Sequence, residues 1–193
     1  MKNNFLSSSD SIFDYFLPEK YQEISKVHWT PEKIIDIVIE WFKVQESKRI
    51  LDIGSGVGKF CIRGAQKSKM EFIGIEKRLS LYSQANEIKN KLKLTNVKFI
   101  HDNILNIDFN KYDSFYYFNP FYEQVCWLGR IDKETIYSST KFRKYQDYVF
   151  NELNKKVKGT TVITYCAPEF KLPKGYLMKN IMFEGLLQLW VKN

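Results

Sequence analysis

Cysteine and histidine are scarce in this chain. Its 193 residues include three cysteines and two histidines, and neither histidine is close to a cysteine in sequence. The cysteines, Cys61, Cys126 and Cys166, are far apart, and no Cys-x-x-Cys pair occurs. Zinc modules and disulfide frameworks need closely spaced ligands or paired thiols. We therefore expect no metal site and no disulfide-stapled secreted fold, and the cytoplasm is the expected location.

Long apolar runs are missing as well. No run approaches the roughly 18 residues that a membrane-spanning helix needs. The first residues, which include Asp10 and Asp14, lack the apolar centre of a secretory signal. Hydrophobic residues nevertheless make up 44% of the chain and aromatic residues 16%. This composition predicts a folded domain with a full-sized core and no membrane partner.

Arginine is rare among the basic residues. The formal net charge is +8, but only five of the 30 basic residues are arginine, the residue best suited to bidentate contacts with phosphates and bases. The positive charge indicates either an anionic partner such as nucleic acid or a compositional bias towards lysine. Both interpretations stay open at this point.

Apolar patterning predicts strands that alternate with helices. A first helix is expected after Thr30 and Pro31, which suit a helix cap and a first turn. Strands are predicted at 49–53, 71–76, 97–101, 113–118, 160–166, 176–183 and 186–192, and further helices at 58–67, 80–94 and 139–157. The last two strands flank Glu184-Gly185, a tight hairpin signal. The order predicts an α/β fold: a Rossmann-like, seven-stranded, mostly parallel sheet with helices on both faces and an antiparallel C-terminal hairpin.

Three glycines follow the first predicted strand in the stretch "ILDIGSGVGKF". Ligands of open parallel sheets bind beyond the carboxyl ends of the strands, where glycines let backbone N–H groups approach them. Dinucleotide-binding proteins use Gly-x-Gly-x-x-Gly, whereas here the third glycine comes one residue early and Lys59 takes the later position. Phe60 follows Lys59, so the phosphate-binding Gly-Lys-Ser/Thr ending is absent.

A nicotinamide dehydrogenase is a weak alternative. Its Tyr-x-x-x-Lys spacing occurs at Tyr137 and Lys141, but this pair lies in a segment without regular patterning. The glycine spacing argues against it too.

Acidic residues follow the glycines at regular intervals. Asp52 precedes the loop, Glu76 ends the second strand, and Asp102 and Asn103 follow the third. This series resembles the class I S-adenosylmethionine-dependent methyltransferases. The resemblance implies that Glu76 accepts hydrogen bonds from the ribose hydroxyls and that Asp102 reads the adenine amino group. The implied cofactor site comprises Asp52, Gly54, Ser55, Gly56, Gly58, Glu76, Lys77, Asp102, Asn103 and Asn119. Without a ligand, Glu76 would be a surface acid paired with Lys77 or Arg78, and Asp102 a turn residue.

Asn119, Pro120 and Phe121 follow the fourth strand and form the predicted catalytic segment. Related enzymes that methylate amino groups carry Asp/Asn/Ser-Pro-Pro-Tyr/Phe/Trp here, and the missing second proline argues against adenine or glutamine amide as the acceptor. The stretch is most similar to the Dot1-like lysine methyltransferases. Asn119 can accept the N–H of an acceptor amine, and Pro120 stiffens the turn. Alternatively, Asn119 caps a helix and Phe121 belongs to the core.

These features predict a methyltransferase that acts on nitrogen, with a protein lysine ahead of other amines. The alternatives are an RNA or small-molecule methyltransferase, and an inactive module that binds RNA or a protein partner. Residues 1–29 are expected to be an extension that serves as a lid or as extra core, and residues 30–193 the methyltransferase domain. Within that domain, residues 122–146 mix aromatic and basic side chains and are the expected substrate-recognition segment.

Overall fold

A single seven-stranded sheet forms the centre of the molecule. The computed structural model describes residues 12–126, 130–133 and 135–193. The strands are β1 (Arg49–Ile53), β2 (Glu71–Glu76), β3 (Val97–His101), β4 (Ser114–Phe118), β5 (Thr161–Tyr165), β6 (Tyr176–Met182) and β7 (Leu187–Lys192). The helices are α1 (Glu19–Glu23), α2 (Ser25–His28), α3 (Glu32–Val44), α4 (Lys59–Lys67), α5 (Leu79–Lys91) and α6 (Ser139–Asn154).

The strand order is β3-β2-β1-β4-β5-β7-β6. Strands β1 to β5 run parallel, and β7 lies antiparallel between β5 and β6. The chain builds outward from β1 through β2 and β3, and then returns to the other side of β1 to form β4. The carboxyl ends of β1 and β4 therefore mark the point where strand order reverses, which is where ligands bind in open α/β sheets. The predicted fold is confirmed.

Helices cover the two faces of the sheet with separate cores. Residues of α3, α4 and α5 pack on one face together with Ile50 of β1. Leu51 and Ile53, whose side chains point the other way along the same strand, pack on the second face with residues of α6. The buried strands are apolar on both faces because both faces are covered.

The helix predicted to follow Thr30 and Pro31 corresponds to α3, and its start differs from the prediction. Thr30 was expected to cap it, but α3 starts at Glu32 and has no side-chain cap. Thr30 is buried, and its hydroxyl forms a 3.0 Å hydrogen bond with the Tyr116 hydroxyl of β4 instead. Burial explains the difference, because a buried hydroxyl must satisfy its hydrogen bonds within the fold. The helices predicted to reach residues 94 and 157 end sooner, at Lys91 and Asn154.

The described part of the N-terminal segment is packed against the domain. Four of its larger side chains are buried in the core on the α3 face, namely Phe13, Leu17, Tyr21 and Trp29, whereas Tyr15 is exposed. The indole N–H of Trp29 donates to the Tyr21 carbonyl at 3.1 Å, which fixes the end of the segment. Residues 1–11 lie outside the described residues. Among the helices described, none combines the length and apolarity needed to cross a membrane.

Candidate cofactor and acceptor site

A cleft of two adjoining cavities lies beyond the carboxyl ends of β1 to β4. The large cavity, of about 260 Å³, is lined by Glu76, Asp102 and Asn103 among others. The small cavity, of about 160 Å³, is lined among others by His28 and Asn119. Four residues line both cavities and mark their boundary: Gly54, Arg78, Pro120 and Glu123.

The glycine loop after β1 follows a path that side chains would block. Gly54, Gly56 and Gly58 all have left-handed φ angles, of 77°, 56° and 78°. A Cβ atom at Gly54 would lie 2.6 Å from the Pro120 Cβ, and one at Gly56 would lie 2.6 Å from the Trp29 ring. Gly54 and Gly56 thus bring bare backbone to the cleft wall. Gly58 instead packs inward, where a Cβ would lie 2.4 Å from the Phe99 ring.

Glu76 ties the glycine loop to the end of β2. Its Oε2 accepts the Gly56 N–H at 3.0 Å, and its Oε1 accepts the Arg78 N–H at 2.8 Å. The side chain is buried yet lines the large cavity. A carboxylate offers about four acceptor positions, so these bonds leave room for further donors from a ligand.

Arg78 bridges the two walls of the cleft. Its Nη1 donates to both oxygens of Glu123, at 3.0 and 3.2 Å, and lies 3.8 Å from Asp132. Glu123 also accepts the Ile131 N–H at 3.1 Å. Burial acts to lower the pKa of Arg78, but the carboxylates of Glu76, Glu123 and Asp132 outweigh it and raise the pKa. The loop after β2 is thereby attached to the segment after β4.

The residues predicted around the adenine meet at the large cavity. The Asp102 Oδ1 accepts the Asn103 N–H at 2.6 Å and the Asn106 amide at 2.7 Å. The Asn103 amide donates to the Tyr145 hydroxyl of α6 at 3.1 Å. Lys77 lines the same cavity. These bonds fix the loop that follows β3 against α6.

Asp52, which precedes the glycine loop, and Ser55, which belongs to it, line neither cavity. Asp52 accepts a hydrogen bond from the Cys61 Sγ of α4 at 3.4 Å, and burial raises its pKa to about 7. The Ser55 N–H donates to the Ile75 carbonyl of β2 at 2.8 Å. The Ser55 Oγ also packs against β2, where a Cβ atom at Gly74 would lie only 2.6 Å from it. The role of both residues as cofactor ligands stays a prediction.

The predicted catalytic segment is divided between the two cavities. Asn119 adopts a φ of 38° and lines the small cavity, and its carbonyl accepts the Tyr122 N–H at 3.3 Å. Pro120 lines both cavities. Phe121 lines only the large one and is 7% exposed, because its ring packs against those of Tyr117 and Tyr145. The core interpretation of Phe121 therefore fits its surroundings.

The sequence did not predict that His28 and Trp29 line the small cavity, and it gave Tyr122 and Cys126 no individual role within the predicted recognition segment. Tyr122 is 46% exposed and sits in the fourth position of Asn-Pro-Phe-Tyr, where the amino-methylating motif carries its aromatic residue. That correspondence could have identified it. His28 and Trp29 carry no such signal, since only the fold brings them to Asn119. Trp127, in the predicted recognition segment, lies outside the described residues.

Comparisons with known proteins agree with this geometry. Residues 45–183 match the family described as a methyltransferase domain. A probable ribosomal RNA small subunit methyltransferase A of Methanosphaera stadtmanae is 35% identical over 79 residues, which cover 41% of this chain and 29% of that protein. A 23S rRNA (uracil(1939)-C(5))-methyltransferase of Shewanella sediminis is 32% identical over 102 residues, which cover 53% and 20%. The chain thus spans less than a third of these curated relatives.

A third relative and two solved structures extend the picture. A tRNA (guanine-N(7)-)-methyltransferase of Synechococcus is 46% identical over 55 residues, covering 28% of this chain and 23% of that protein. An RNA methyltransferase from Salinibacter ruber in complex with S-adenosyl-L-homocysteine superposes with a TM-score of 0.55 at 19% identity, covering 84% of this chain and 91% of that one. A putative caffeoyl-CoA O-methyltransferase from Staphylococcus aureus superposes with a TM-score of 0.64 at 15% identity, covering 97% and 93%. These structures share the fold.

The cleft fits the cofactor that such enzymes use. It offers a buried carboxylate at Glu76, a polar loop at Asp102 and Asn103, and bare backbone at Gly54 and Gly56. These are groups suited to ribose hydroxyls, an adenine amino group and the amino-acid end of the cofactor. On the match over more than half of its length, the chain belongs to the methyltransferase-domain family, within the class I S-adenosylmethionine-dependent methyltransferases.

Proposed function

We propose that this chain methylates a nitrogen atom of an RNA, and that the acceptor enters the small cavity beside Asn119. The observation that carries the proposal is the position of Asn119. It follows β4, lines the small cavity, and adjoins Pro120 at the boundary with the cavity that Glu76 lines. An acceptor held there would lie next to the cofactor site.

Glu76, Asp102 and Asn103 would hold the adenosine part of the cofactor. S-Adenosylmethionine, when bound, supplies a methyl group already activated by a positively charged sulfur. The remaining task of the protein is to hold the acceptor nitrogen in line with the methyl carbon and the sulfur. Arg78 and Glu123 contribute by joining the cofactor loop to the segment that walls the small cavity.

Asn119 and Tyr122 would orient the acceptor. The side-chain carbonyl of Asn119 can accept a hydrogen bond from an N–H group of the base to be methylated. This bond would turn the nitrogen lone pair towards the cofactor. The exposed ring of Tyr122 can stack on a base, an interaction that contributes about 1–3 kcal/mol per base. Pro120 restricts the turn between the two cavities and so limits how far Asn119 can move.

RNA is favoured over a protein lysine by two observations. The relatives named above act, by their names, on ribosomal or transfer RNA. The formal charge of +8 also suits a polyanion. A lysine acceptor and a Dot1-like relationship stay predictions that these relatives do not support.

Uracil C5 is a second candidate acceptor, because a cysteine lines the small cavity. Carbon 5 of uracil becomes nucleophilic only after a thiolate adds to carbon 6, and the thiolate leaves again when the C5 proton is lost. Cys126 lines the cavity with Asn119 and Tyr122, and a relative of this chain is named for that position. A Cys126→Ser variant separates the candidates, because it would abolish carbon methylation and spare nitrogen methylation.

The proposal is tested with tritiated S-adenosylmethionine and a cell lysate divided into protein, RNA, DNA and small-molecule fractions. We expect label in the RNA fraction and, after digestion to nucleosides and mass spectrometry, a methyl group on a base nitrogen. Label in the protein fraction alone would restore the lysine acceptor. Cofactor binding without label in any fraction would favour the inactive binding module.

A further inference from the structure

We infer that the first two turns of α6 are a phosphate-binding track, which leads a single strand of RNA to the cleft. The track consists of Lys141, Arg143 and Lys144. It deepens the proposed function, because it names the surface that would hold the RNA on either side of the methylated base. Four features of the described residues support it, and a pair of matched variants tests it.

The charges of α6 run against its helix dipole. Lys141, Arg143 and Lys144 lie in the first two turns, and the acids Asp147 and Glu152 follow later in the helix. The helix has no acidic residue in its first turn and no basic residue in its last. A cation in the first turn of a helix, such as Lys141, is disfavoured by the helix dipole, and this effect falls off in the second turn, where Arg143 and Lys144 lie. Helix stability therefore does not account for Lys141.

Some lysines in or next to the helices pair with acids, whereas the three cations, like Lys89 on α5, do not within the described residues. Lys43 on α3 pairs with Glu40 at 2.7 Å, Lys91 on α5 pairs with Glu87 at 2.7 Å, and Lys155 after α6 pairs with Glu152 at 2.6 Å. Within the described parts of the chain, neither Lys141 nor Arg143 nor Lys144 has a carboxylate within ion-pair distance. Their charges are therefore available to an external anion.

The position of the track connects it to the cleft. Arg143 and Lys144 line an open groove between α6 and the loop after β3, together with Thr140 and Leu105. Lys141, next to Thr140, lines the large cavity. Arg143 and Lys144 thus lie on an open surface of α6, and Lys141, three residues before Lys144, lies at the cleft. Asp147 lies farther along the groove, so the positive half is the half next to the cleft.

An RNA strand matches this surface better than a compact anion. The cations are exposed on neighbouring faces of the first two turns of a helix, which suits successive phosphates of a flexible backbone. They are too exposed to form an enclosed pocket for a single phosphate group. Tyr122 at the small cavity would then stack on the base while the track holds the neighbouring phosphates.

The test compares two double variants with the same change of charge. Arg143→Gln with Lys144→Gln removes the track, and Lys141 is left in place because it lines the cofactor cavity. The control is Lys111→Gln with Lys158→Gln, two exposed lysines near the amino ends of the strands, on the opposite side from the cleft. Binding of a fluorescein-labelled 20-nucleotide single-stranded RNA is followed by anisotropy at several salt concentrations, and S-adenosylhomocysteine binding is followed by calorimetry.

We expect the track variant to bind the RNA at least tenfold more weakly near physiological salt. The slope of log affinity against log salt should fall by about 1.4, since each lost phosphate contact on a single strand contributes about 0.7. The control variant should stay within twofold of the wild type. Binding of S-adenosylhomocysteine should be unchanged in both, which shows that both are folded.

Two outcomes would overturn the inference: equal RNA binding by the track variant and the wild type, or equal weakening by the track and control variants. The second would mean that only the total charge matters. The anisotropy readout needs no turnover, so it is independent of the acceptor assay. An absence of label in RNA would refute the proposed function, and normal RNA binding by the track variant would refute the track alone.

Discussion

The two cavities of the cleft are built from different parts of the chain. The large cavity takes its polar groups from loops that directly follow β2 and β3, at Glu76, Asp102 and Asn103. The small cavity is assembled from the N-terminal segment, the glycine loop and the turn after β4, with His28 and Asn119 separated by about ninety residues of sequence. The large cavity, the proposed cofactor side, therefore depends on local motifs, whereas the small cavity, the proposed acceptor side, depends on the whole fold.

This difference has a functional meaning. A family that keeps one cofactor can keep its short strand-loop units unchanged, while changes in distant segments alter the acceptor. Substitutions on the two sides should accordingly produce separable defects. The following predictions test that separation, in order of decreasing effect on the cleft.

Gly56→Val should have the largest effect, because it disturbs both cavities. A positive φ costs a branched residue about 1–3 kcal/mol, and the new side chain would also collide with Trp29. We expect S-adenosylhomocysteine binding to be lost in calorimetry and the melting temperature to fall. Gly159→Val is the matched control, since it has a φ of 89° and nothing within 4 Å of its Cβ position. Equal cofactor affinity in the two variants would contradict the assignment.

Asn119→Ala should damage only the acceptor side. We expect turnover to fall about 100-fold, because the acceptor loses the group that orients it. The affinity for S-adenosylhomocysteine should stay within twofold of the wild-type value. Asn119→Gly controls for the backbone, because glycine adopts the φ of 38° without strain but lacks the amide. If the Asn119→Gly variant keeps the turnover of the wild type, the side-chain amide has no role in the reaction. Asn119 would then be needed only for the positive φ of the turn.

Glu76→Ala should damage the cofactor side. The loss of charge-assisted hydrogen bonds should weaken S-adenosylhomocysteine binding by about 1–3 kcal/mol, measured by calorimetry. Glu123→Gln is its counterpart, because it loosens the bridge to Arg78 and leaves Glu76 intact. We expect a change in cofactor affinity of less than threefold for Glu123→Gln. A similar loss in both variants would mean that the bridge, and not the ribose contact, sets the affinity.

Asp52→Asn should have the smallest effect on cofactor affinity, because Asp52 lines neither cavity. Burial raises the pKa of Asp52 from 3.8 in the unfolded state to about 7 in the folded state. Between these two pH values, the folded state therefore holds a proton that the unfolded state has released. The stability from this group is complete below pH 3.8 and is lost as the pH rises through 7. Urea unfolding between pH 4 and pH 8 should therefore show a flatter pH dependence for the variant.

The control for this experiment is Asp147→Asn, which removes an exposed acid on α6 outside the core. A variant Asp52→Asn that keeps the wild-type pH dependence would show that Asp52 does not titrate in this range. A large loss of cofactor affinity in Asp52→Asn would instead indicate that Asp52 contacts the cofactor.

Patterning along the chain predicted all seven strands to within two residues, because buried parallel strands are short apolar runs between turn signals. It failed at Thr30, where a distant hydroxyl on β4 competes with the expected cap. It also chose Phe121 as the aromatic residue of the catalytic segment, where Tyr122 is the exposed one. Thr30 is bonded to Tyr116, and Phe121 packs against Tyr145. Both partners come from other parts of the chain, which a local sequence pattern does not reveal.

The sequence by itself determined the positions of the strands along the chain, the glycine loop and the positions of the acids that follow β2 and β3. Each of these depends on the alternation of apolar residues or on a few consecutive positions. Only the tertiary structure decided that Asp52 lines neither cavity, that His28 and Trp29 line the small cavity, and that Arg78 joins the two walls of the cleft. These arrangements follow from how the N-terminal segment and the chain after β4 pack across the sheet, and such long-range packing leaves no periodic trace in the sequence.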